Sequence, residues 1–263
     1  MTQTPGRLSG KKALVTGASR GIGRAIALRL AAEGAVVALG VRKAEDGDPL
    51  VAEIAAAGGT AVTVLLDVTD AASVATGVER AARPERRLDI VVNNAGLAGQ
   101  TPLDGDERSD LTFERIFDVN VTGTWRVLRA ALPFLSEGGR VINISSVSGR
   151  FGVPGQSGYC GAKHAVIGVT RALALELAPR KITVNAVCPG WVDTEMGRYG
   201  IRGYGKAMGL TEEQAFDAAG KMAPLGQVLV PDEVAGLVVW LVSDDARNVT
   251  GQSIVIDGGQ VMP

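Results

Sequence analysis

The stretch that decides the fold is Thr16-Gly17-Ala18-Ser19-Arg20-Gly21-Ile22-Gly23, which directly follows the apolar run Ala13-Leu14-Val15. The apolar run is typical of a buried strand, and apolar residues from Ile22 to Leu30 recur at helical spacing behind the glycines. A glycine turn between a strand and the amino terminus of a helix forms an anion site, because free N–H groups of the helix face the turn. In such a loop the first glycine permits the sharp turn, the second lets the backbone approach a pyrophosphate, and the third lets helix and strand pack closely. The stretch therefore predicts an α/β fold that opens with a dinucleotide-binding unit.

The rest of the chain continues this alternation of strands and helices. Seven short apolar runs are predicted as strands, at 13–15, 36–39, 62–66, 90–92, 141–144, 182–187 and 254–256. Continuous apolar runs, without in-and-out alternation, fit a parallel sheet that is covered on both faces. We find no repeat, linker or break in composition, so residues 1–263 are predicted to form a single domain. The expected fold is a Rossmann-like, doubly wound, seven-stranded parallel sheet with helices on both faces.

One segment, at about 195–227, interrupts the alternation. It holds five glycines before position 210 and then an amphipathic piece around 211–222. A long insertion at the carboxyl edge of such a sheet is usually functional, so we predict a flexible substrate lid. An ordinary surface excursion is the alternative.

Composition excludes several classes of protein. Lys and Arg total 27 against 28 for Asp and Glu, so the net charge of −1 gives no reason to expect nucleic acid as a partner. The longest apolar run, 234–242, is too short to span a bilayer, and no membrane partner is predicted. Met1 to Lys12 lacks the apolar core of a signal peptide, so we expect a cytoplasmic protein with Cys160 and Cys188 reduced.

A candidate catalytic pair lies four residues apart in a helical segment. Tyr159 and Lys163 project from one face of that helix, so their side chains can converge. A free tyrosine titrates near pKa ~10, and a neighbouring cation lowers that pKa, so Tyr159 is predicted to exchange a proton with a carbonyl oxygen. Ser145, Ser146 and Ser148 follow the fifth strand, where a hydroxyl could bind the same oxygen or could serve only the turn.

In order and spacing these segments resemble the short-chain dehydrogenases/reductases, in their single-domain branch. The resemblance runs from about Leu8 to Gly259. It rests on five segments: Thr16 to Gly23; Asp67-Val68 after the third strand; Asn93-Asn94-Ala95-Gly96 after the fourth; Ser146, Tyr159 and Lys163; and Pro189-Gly190 with Thr194.

The resemblance implies roles for individual residues. Ser146, thirteen residues before Tyr159, is the catalytic serine that it implies, and Lys163 also holds the nicotinamide ribose. Asn120 is implied to bind a main chain and a water that relays protons to Lys163. The catalytic set is thus Asn120, Ser146, Tyr159 and Lys163. The predicted cofactor residues are Gly17, Ser19, Arg20, Gly21, Ile22, Gly23, Arg42, Asp67, Val68, Asn94, Ala95, Gly96, Tyr159, Lys163, Pro189, Gly190, Val192 and Thr194.

The choice of nicotinamide cofactor is a question of charge. The second strand ends in Leu39-Gly40-Val41-Arg42-Lys43, and Val41 stands where NAD enzymes of the family carry Asp. Arg42 and Arg20 could converge on the 2′-phosphate of NADP(H), which makes NADP(H) the prediction ahead of NAD(H). The alternative is that Arg42 and Lys43 are solvated turn residues beside several acidic ones.

The predicted function is NADPH-dependent reduction of a ketone to a secondary alcohol. Two alternatives stay open: an NAD-dependent alcohol or hydroxyacid dehydrogenase working in the oxidative direction, and a non-catalytic dinucleotide sensor, although such sensors tend to lose the Tyr or the Lys. No cluster of residues has metal-ligand spacing, so no metal is predicted. His164 points away from the face of Tyr159 and Lys163, which favours a structural role.

Substrate and assembly are less constrained. Residues 163–165 and 185–194 resemble aromatic-polyketide ketoreductases and 3-oxoacyl reductases. In the lid, Arg198, Arg202 and Lys206 form the basic patch that could meet a phosphopantetheine or carrier protein. The resemblance also implies a homotetramer that acts on a small-molecule carbonyl substrate.

Overall fold

The structure, a computed structural model, describes residues 6–262. Residues 1–5 of the N-terminal stretch considered above, and Pro263, lie outside the described part. Seven parallel strands form one sheet in the order β3-β2-β1-β4-β5-β6-β7. They are β1 (Lys12–Thr16), β2 (Val36–Val41), β3 (Thr60–Leu65), β4 (Leu88–Asn93), β5 (Leu135–Ile144), β6 (Thr183–Pro189) and β7 (Ser253–Ile256). The predicted Rossmann-like fold with a seven-stranded parallel sheet is confirmed.

Nine α-helices connect and cover the strands within residues 6–262. They are α1 (Gly21–Ala32), α2 (Asp48–Ala56), α3 (Ala71–Ala82), α4 (Glu107–Phe117), α5 (Gly123–Ala131), α6 (Ser157–Leu177), α7 (Glu195–Met208), α8 (Glu212–Lys221) and α9 (Pro231–Val242). In this part of the chain, no helix has both the length and the apolar character needed to cross a membrane.

Two apolar cores lie on opposite faces of the sheet. On one face α1, α2 and α9 bury residues such as Ile26, Ile54 and Val238 against the strands. On the other face α3, α5 and α6 do the same with residues such as Val78 and Leu173. Burial on both faces explains the continuous apolar runs of the central strands.

Strand β5 is longer than its sequence suggests. The apolar pattern predicted a strand from Val141, but pairing with β4 begins at Leu135, opposite Leu88, and resumes after an irregularity at Arg140. Residues 136–140 are polar residues and glycines, so they do not show the apolar pattern of a strand. Backbone hydrogen bonding makes them part of β5 even though their side chains are not all buried.

The glycine-rich segment that we predicted as a flexible lid is mainly helical. Glycines that suggested a loop lie inside α7, where Thr194 caps the first turn and Gly209 ends the helix with a φ of 69°. Gly205 meets the neighbouring helix: a Cβ there would lie 2.5 Å from the Cβ of Ala215 on α8. Helices α7 and α8 enclose a small apolar cluster of their own, built on Ile201, Ala215 and Ala219.

Candidate active site

The carboxyl ends of β1 and β4 define the candidate site. These strands are neighbours in the sheet, and the chain leaves them in opposite directions, towards β2 and towards β5. In open parallel sheets, ligands bind in the crevice at such a switch point. The glycine loop follows β1 and the segment Asn94 to Gly96 follows β4, so the fold brings these two predicted cofactor segments together.

The glycine loop has the backbone that a pyrophosphate site requires. Gly17 and Gly21 have φ values of 62° and 55°, which residues with a Cβ rarely adopt. A Cβ on Gly23 would lie 2.3 Å from the carbonyl oxygen of Gly17, so helix α1 can approach the loop this closely only with glycine at that position. The N-cap residue of α1, Arg20, makes no side-chain cap, which leaves first-turn N–H groups free for an anion. These residues fit the pyrophosphate of a dinucleotide.

Asn94 holds this loop in place. Its side-chain amide donates to the carbonyl oxygens of Thr16 (2.9 Å) and Gly17 (3.0 Å), while the Thr16 hydroxyl accepts from the N–H groups of Asn94 and Ala95. We predicted Asn94 as a cofactor residue, and in this structure its amide nitrogen is committed to the protein. Its role towards a cofactor stays a prediction.

The two arginines predicted for the 2′-phosphate differ in their surroundings. Arg20 Nη1 lies 2.6 Å from Glu195 Oε2, in the first turn of α7, and both side chains are exposed. Arg42 directly follows β2 and makes no ion pair within residues 6–262. Arg42 is therefore free to bind an anion, whereas Arg20 would first have to leave Glu195.

Asp67, two residues after β3, lies near Arg42. Its carboxylate accepts from the backbone N–H of Thr69 (2.9 Å) and from the Thr69 hydroxyl (2.7 Å). The Thr69 backbone hydrogen bond is the main cause that lowers the pKa of Asp67, and the charges of Arg42 and Arg115 act in the same direction. The next residue, Val68, is buried and packs against Gly123 at the start of α5.

Helix α6 places Tyr159 and Lys163 at the carboxyl end of β5. Lys163 is buried, and its Nζ donates to the carbonyl oxygen of Ile144 (2.8 Å) while lying 5.6 Å from the centre of the Tyr159 ring. Ser146 follows β5 and lies close enough to Tyr159 for a hydrogen bond that lowers the pKa of the phenol. Ser145 fixes the helix by donating to the carbonyl oxygen of Lys163 (3.0 Å). The fold thus brings together three of the four residues predicted to be catalytic.

The predicted effect of Lys163 on Tyr159 is not present in the protein alone. Burial raises the pKa of Tyr159 to about 12, and the hydrogen bond with Ser146 offsets only part of this increase. Burial also lowers the pKa of Lys163 to about 8, because the ammonium group is removed from water. Because burial holds the pKa of Tyr159 at about 12, its phenol stays protonated at neutral pH, while Lys163 is still mostly charged.

Asn120, the fourth predicted catalytic residue, lies in one π-helical turn between α4 and α5 (Asp118–Thr122). It is buried, and its side chain makes two hydrogen bonds with the backbone of Leu97: Oδ1 accepts from the N–H (2.8 Å) and Nδ2 donates to the carbonyl oxygen (2.9 Å). Asn120 therefore fixes the segment after Gly96, which lies against Lys163: a Cβ on Gly96 would lie 3.7 Å from Lys163 Nζ.

The segment predicted for the nicotinamide side lies at the base of α7. Gly190 follows β6 and donates its N–H to the carbonyl oxygen of Ile256 (2.9 Å). Val192 is buried and pairs with Leu229, and Thr194 caps α7. Thr194 also reaches the glycine loop, since a Cβ on Gly21 would lie 3.1 Å from its methyl group.

Sequence reasoning missed a cleft beside this site. It has a volume of about 360 Å³ and is lined by Leu97, Ala98, Gly99, Gln100, Thr112, Arg115 and Tyr199. These residues come from three separate parts of the chain: the segment after β4, helix α4 and helix α7. Helical periodicity identifies the polar face of α4. No pattern in the sequence shows that this face lies opposite α7.

The structure also gives the contacts of the histidine, the two cysteines and the two lid arginines considered in the sequence analysis. His164 Nδ1 lies 2.8 Å from the carbonyl oxygen of Cys160, one helical turn away. Cys160 and Cys188 are both buried and unpaired. In the predicted basic patch of the lid, Arg198 pairs with Asp193 (2.5 Å) and Arg202 with Glu212 (3.3 Å).

Comparison with known proteins agrees with this geometry. Residues 17–260 match the family model described as enoyl-(acyl carrier protein) reductase. A ketoacyl reductase of the monensin polyketide synthase from Streptomyces virginiae is 41% identical, with 98% of each chain covered. The chain belongs to the short-chain dehydrogenase/reductase family. The predicted family is thereby confirmed, as is the prediction of a short-chain oxidoreductase acting on C=O or CH–OH groups.

Two further members of the family show how closely sequence and fold agree. The 3-oxoacyl-[acyl-carrier-protein] reductase of Thermotoga maritima is 38% identical over 97% of this chain and 100% of its own. A short-chain dehydrogenase from Burkholderia cenocepacia, solved in complex with NADP, superposes with a TM-score of 0.84 at 38% identity, covering 97% of this chain and 99% of its own.

Proposed function

We propose that the protein reduces a ketone to a secondary alcohol with NADPH, using Tyr159 as the proton donor. The observation that carries this proposal is the position of Tyr159, Ser146 and Lys163 beside a glycine loop that fits a pyrophosphate. When bound, NADPH supplies the hydride that the carbonyl carbon accepts.

The protein's own residues would act on the carbonyl oxygen. Ser146 and Tyr159, which interact with each other, would both bind this oxygen, and hydrogen bonds at the point where negative charge develops stabilise the transition state. Tyr159 then gives its phenolic proton to the oxygen, which completes the alcohol. The high pKa of Tyr159 keeps that proton in place at neutral pH until charge develops on the substrate.

Lys163 and Asn120 would support this transfer. Lys163 is held between Ile144 and Gly96, and its ammonium group can bind the ribose hydroxyls of the nicotinamide half. Asn120 keeps the segment around Leu97 in position, so that the floor of the site stays close to Lys163.

The preference for NADPH is part of the proposal and rests on the end of β2. Val41 leaves no carboxylate to accept from a ribose 2′-OH, and Arg42, which directly follows β2 and makes no ion pair within residues 6–262, would bind the 2′-phosphate. An Arg–phosphate contact is charge-assisted and can be bidentate, so it discriminates strongly against NAD(H).

The test follows the oxidation of NADPH and NADH with a panel of ketones, from small β-ketoesters to bicyclic ketones. Arg42→Ala should weaken NADPH binding roughly tenfold or more while leaving NADH unchanged. Lys43→Ala is the matched control, because Lys43 is the next residue and is paired with Glu45. Turnover with NADH alone would contradict the cofactor proposal, and NADPH binding without any turnover would favour a dinucleotide sensor.

A homotetramer in the cytoplasm also remains a proposal. Exposed apolar side chains on two long helical segments support it, including Trp125 on α5 (46% exposed) and Leu175 on α6 (80% exposed). Light scattering after gel filtration tests the assembly: a mass four times that of the chain is expected, and a monomer would contradict the proposal.

A further inference from the structure

The cleft between α4 and α7 lies beside the proposed reaction centre and is joined to it through Leu97. Leu97 forms its inner end and is the residue whose N–H and carbonyl are both bound by Asn120. Its neighbour Gly96 lies against Lys163. A substrate with its carbonyl at Tyr159 can therefore extend outward along residues 97–100 into the cleft.

The outer wall of the cleft is polar. Gln100 lies between Gly155, which comes shortly before α6, and Gly203 on α7: Cβ atoms built on these glycines would lie 2.9 Å and 4.0 Å from its amide. Its side chain makes no hydrogen bond within residues 6–262. Tyr199 is 55% exposed and lines the cleft from α7. Both groups can thus donate hydrogen bonds to a ligand.

Arg115 supplies the charge at this end of the cleft. It is exposed on α4 and makes no salt bridge in the described part of the chain. Of the nearby acids, Asp118 is already paired with Arg126 at 2.7 Å, and Asp67, whose pKa the charge of Arg115 lowers, forms no salt bridge with it. The two lid arginines expected to bind an anion, Arg198 and Arg202, are also paired with carboxylates. Arg115 is therefore the lining cation that is free for a ligand.

We propose that the natural substrate is a ketone carrying an anionic group, and that Arg115, with Gln100 and Tyr199, binds this group in the cleft. The inference rests on the proposed ketone reduction at Tyr159. A guanidinium binds carboxylates and phosphates through the same paired N–H donors. The anion can thus be the carboxylate of an oxo acid or the phosphate of a phosphopantetheine thioester, and the experiment separates these sources.

The experiment uses two pairs of ketones that differ mainly in charge: 4-oxopentanoate with its methyl ester, and acetoacetyl-4′-phosphopantetheine with acetoacetyl-pantetheine. Each is reduced with NADPH by the wild type, Arg115→Gln and Arg108→Gln. Arg108 is the matched control, because it lies two turns away on the same helix and does not line the cleft.

Arg115→Gln should raise KM for the anionic member of one pair roughly tenfold, with kcat and the neutral ketones changed less than about twofold. The pair that responds identifies the source of the anion. Added salt should raise the KM of the wild type for the anionic ketone towards that of Arg115→Gln, since the cleft is open to solvent. Equal effects on charged and neutral ketones, or none on either, would overturn the inference.

A second measurement separates failure of this inference from failure of the proposed reaction. Wild type and Arg115→Gln, both loaded with NADP⁺, are titrated by calorimetry with 4-oxopentanoate and with 4′-phosphopantetheine. Binding to the wild type that Arg115→Gln loses supports the anion site even if no ketone in the panel is reduced. Reduction without such binding would overturn the inference alone. Weaker NADPH binding with no discrimination between ketones would instead place Arg115 in the cofactor site near Asp67.

Discussion

Two regions meet at the candidate site and are built in opposite ways. At the carboxyl edge of the sheet, Lys163 and Asn120 are buried, and their polar groups bind backbone atoms of neighbouring segments. The α7–α8 pair rests on a small apolar cluster around Ile201, and the ion pair Arg202–Glu212 that joins the two helices is exposed. The buried site at the sheet edge can open only if the sheet itself unfolds. The α7–α8 pair depends only on its own few local contacts.

This difference suits the two tasks of a reductase. Proton transfer requires groups that are held within hydrogen-bonding distance, and a buried network on regular elements provides this rigidity. Substrate entry requires a segment that can open at low free-energy cost, and regions with few buried apolar contacts open most readily. We therefore expect changes at the sheet edge to affect chemistry and changes in α7–α8 to affect binding.

The largest effect is expected for Tyr159→Phe, which removes the proposed proton donor while keeping the ring. The rate of ketone reduction should fall roughly 10²–10⁴-fold, the usual contribution of a positioned acid. NADPH binding, measured by fluorescence, should change little, because the aromatic ring is retained. Activity within about tenfold of the wild type would show that another group delivers the proton.

A matched pair of cavity substitutions compares the two regions directly. Ile142→Ala in β5 should lower the free energy of unfolding by about 2–5 kcal/mol, as expected for a buried Ile in the central sheet. Ile201→Ala in α7 removes an equally buried side chain, but we expect the midpoint of urea unfolding to move much less.

Ile201→Ala should instead destabilise the α7–α8 pair locally. This loss should appear as faster hydrogen exchange over residues 195–221 and a higher KM for the ketone. Equal losses of global stability in both variants would show that the α7–α8 pair unfolds together with the sheet.

The rigid region should also set the pH dependence. Burial lowers the pKa of Lys163 to about 8, so Lys163 is charged below this pH and becomes neutral above it. Since kcat/KM for NADPH reports ionisations of the free enzyme, it should be constant below pH 8 and fall up to about tenfold per pH unit above it. A profile that stays flat to pH 10 would contradict a role for the Lys163 charge in cofactor binding.

The smallest effect is expected where the two regions touch, at Arg20 and Glu195. A 2′-phosphate that binds Arg20 competes with Glu195, so Glu195→Gln should tighten NADPH binding by a few-fold and leave NADH unchanged. Exposed ion pairs contribute about 0.2–1 kcal/mol, which limits the gain to roughly fivefold. Glu212→Gln is the control, because it breaks a similar pair within α7–α8. The same gain in both variants, or a gain for NADH as well, would exclude direct competition.

Much of the rigid region could be predicted from its residues. Strand and helix periodicity located the sheet, and the spacing of Tyr159 and Lys163 placed both on one helical face. In the protein alone, burial dominates the pKa of Tyr159, and the spacing of two residues does not reveal how deeply they are buried. The ion pair of Arg20 with Glu195 could not be predicted, because the two residues lie 175 positions apart in sequence.

The α7–α8 region was predicted less well for a physical reason. Glycines usually disfavour helices, so the five glycines before position 210 favoured a flexible lid there, and only the amphipathic piece at 211–222 indicated a helix. In the structure, close packing of α7 against Trp191 and α8 requires residues without a Cβ, which a sequence pattern cannot show.

The sequence by itself determined the parallel sheet, the glycine loop and the common helical face of Tyr159 and Lys163, because each depends on local periodicity or on spacing within one element. The tertiary structure decided the ionisation of Tyr159 and Lys163, the partner of Arg20 and the cleft that Arg115 shares with Tyr199. These properties depend on burial and on contacts between distant segments, which exist only once the chain has folded.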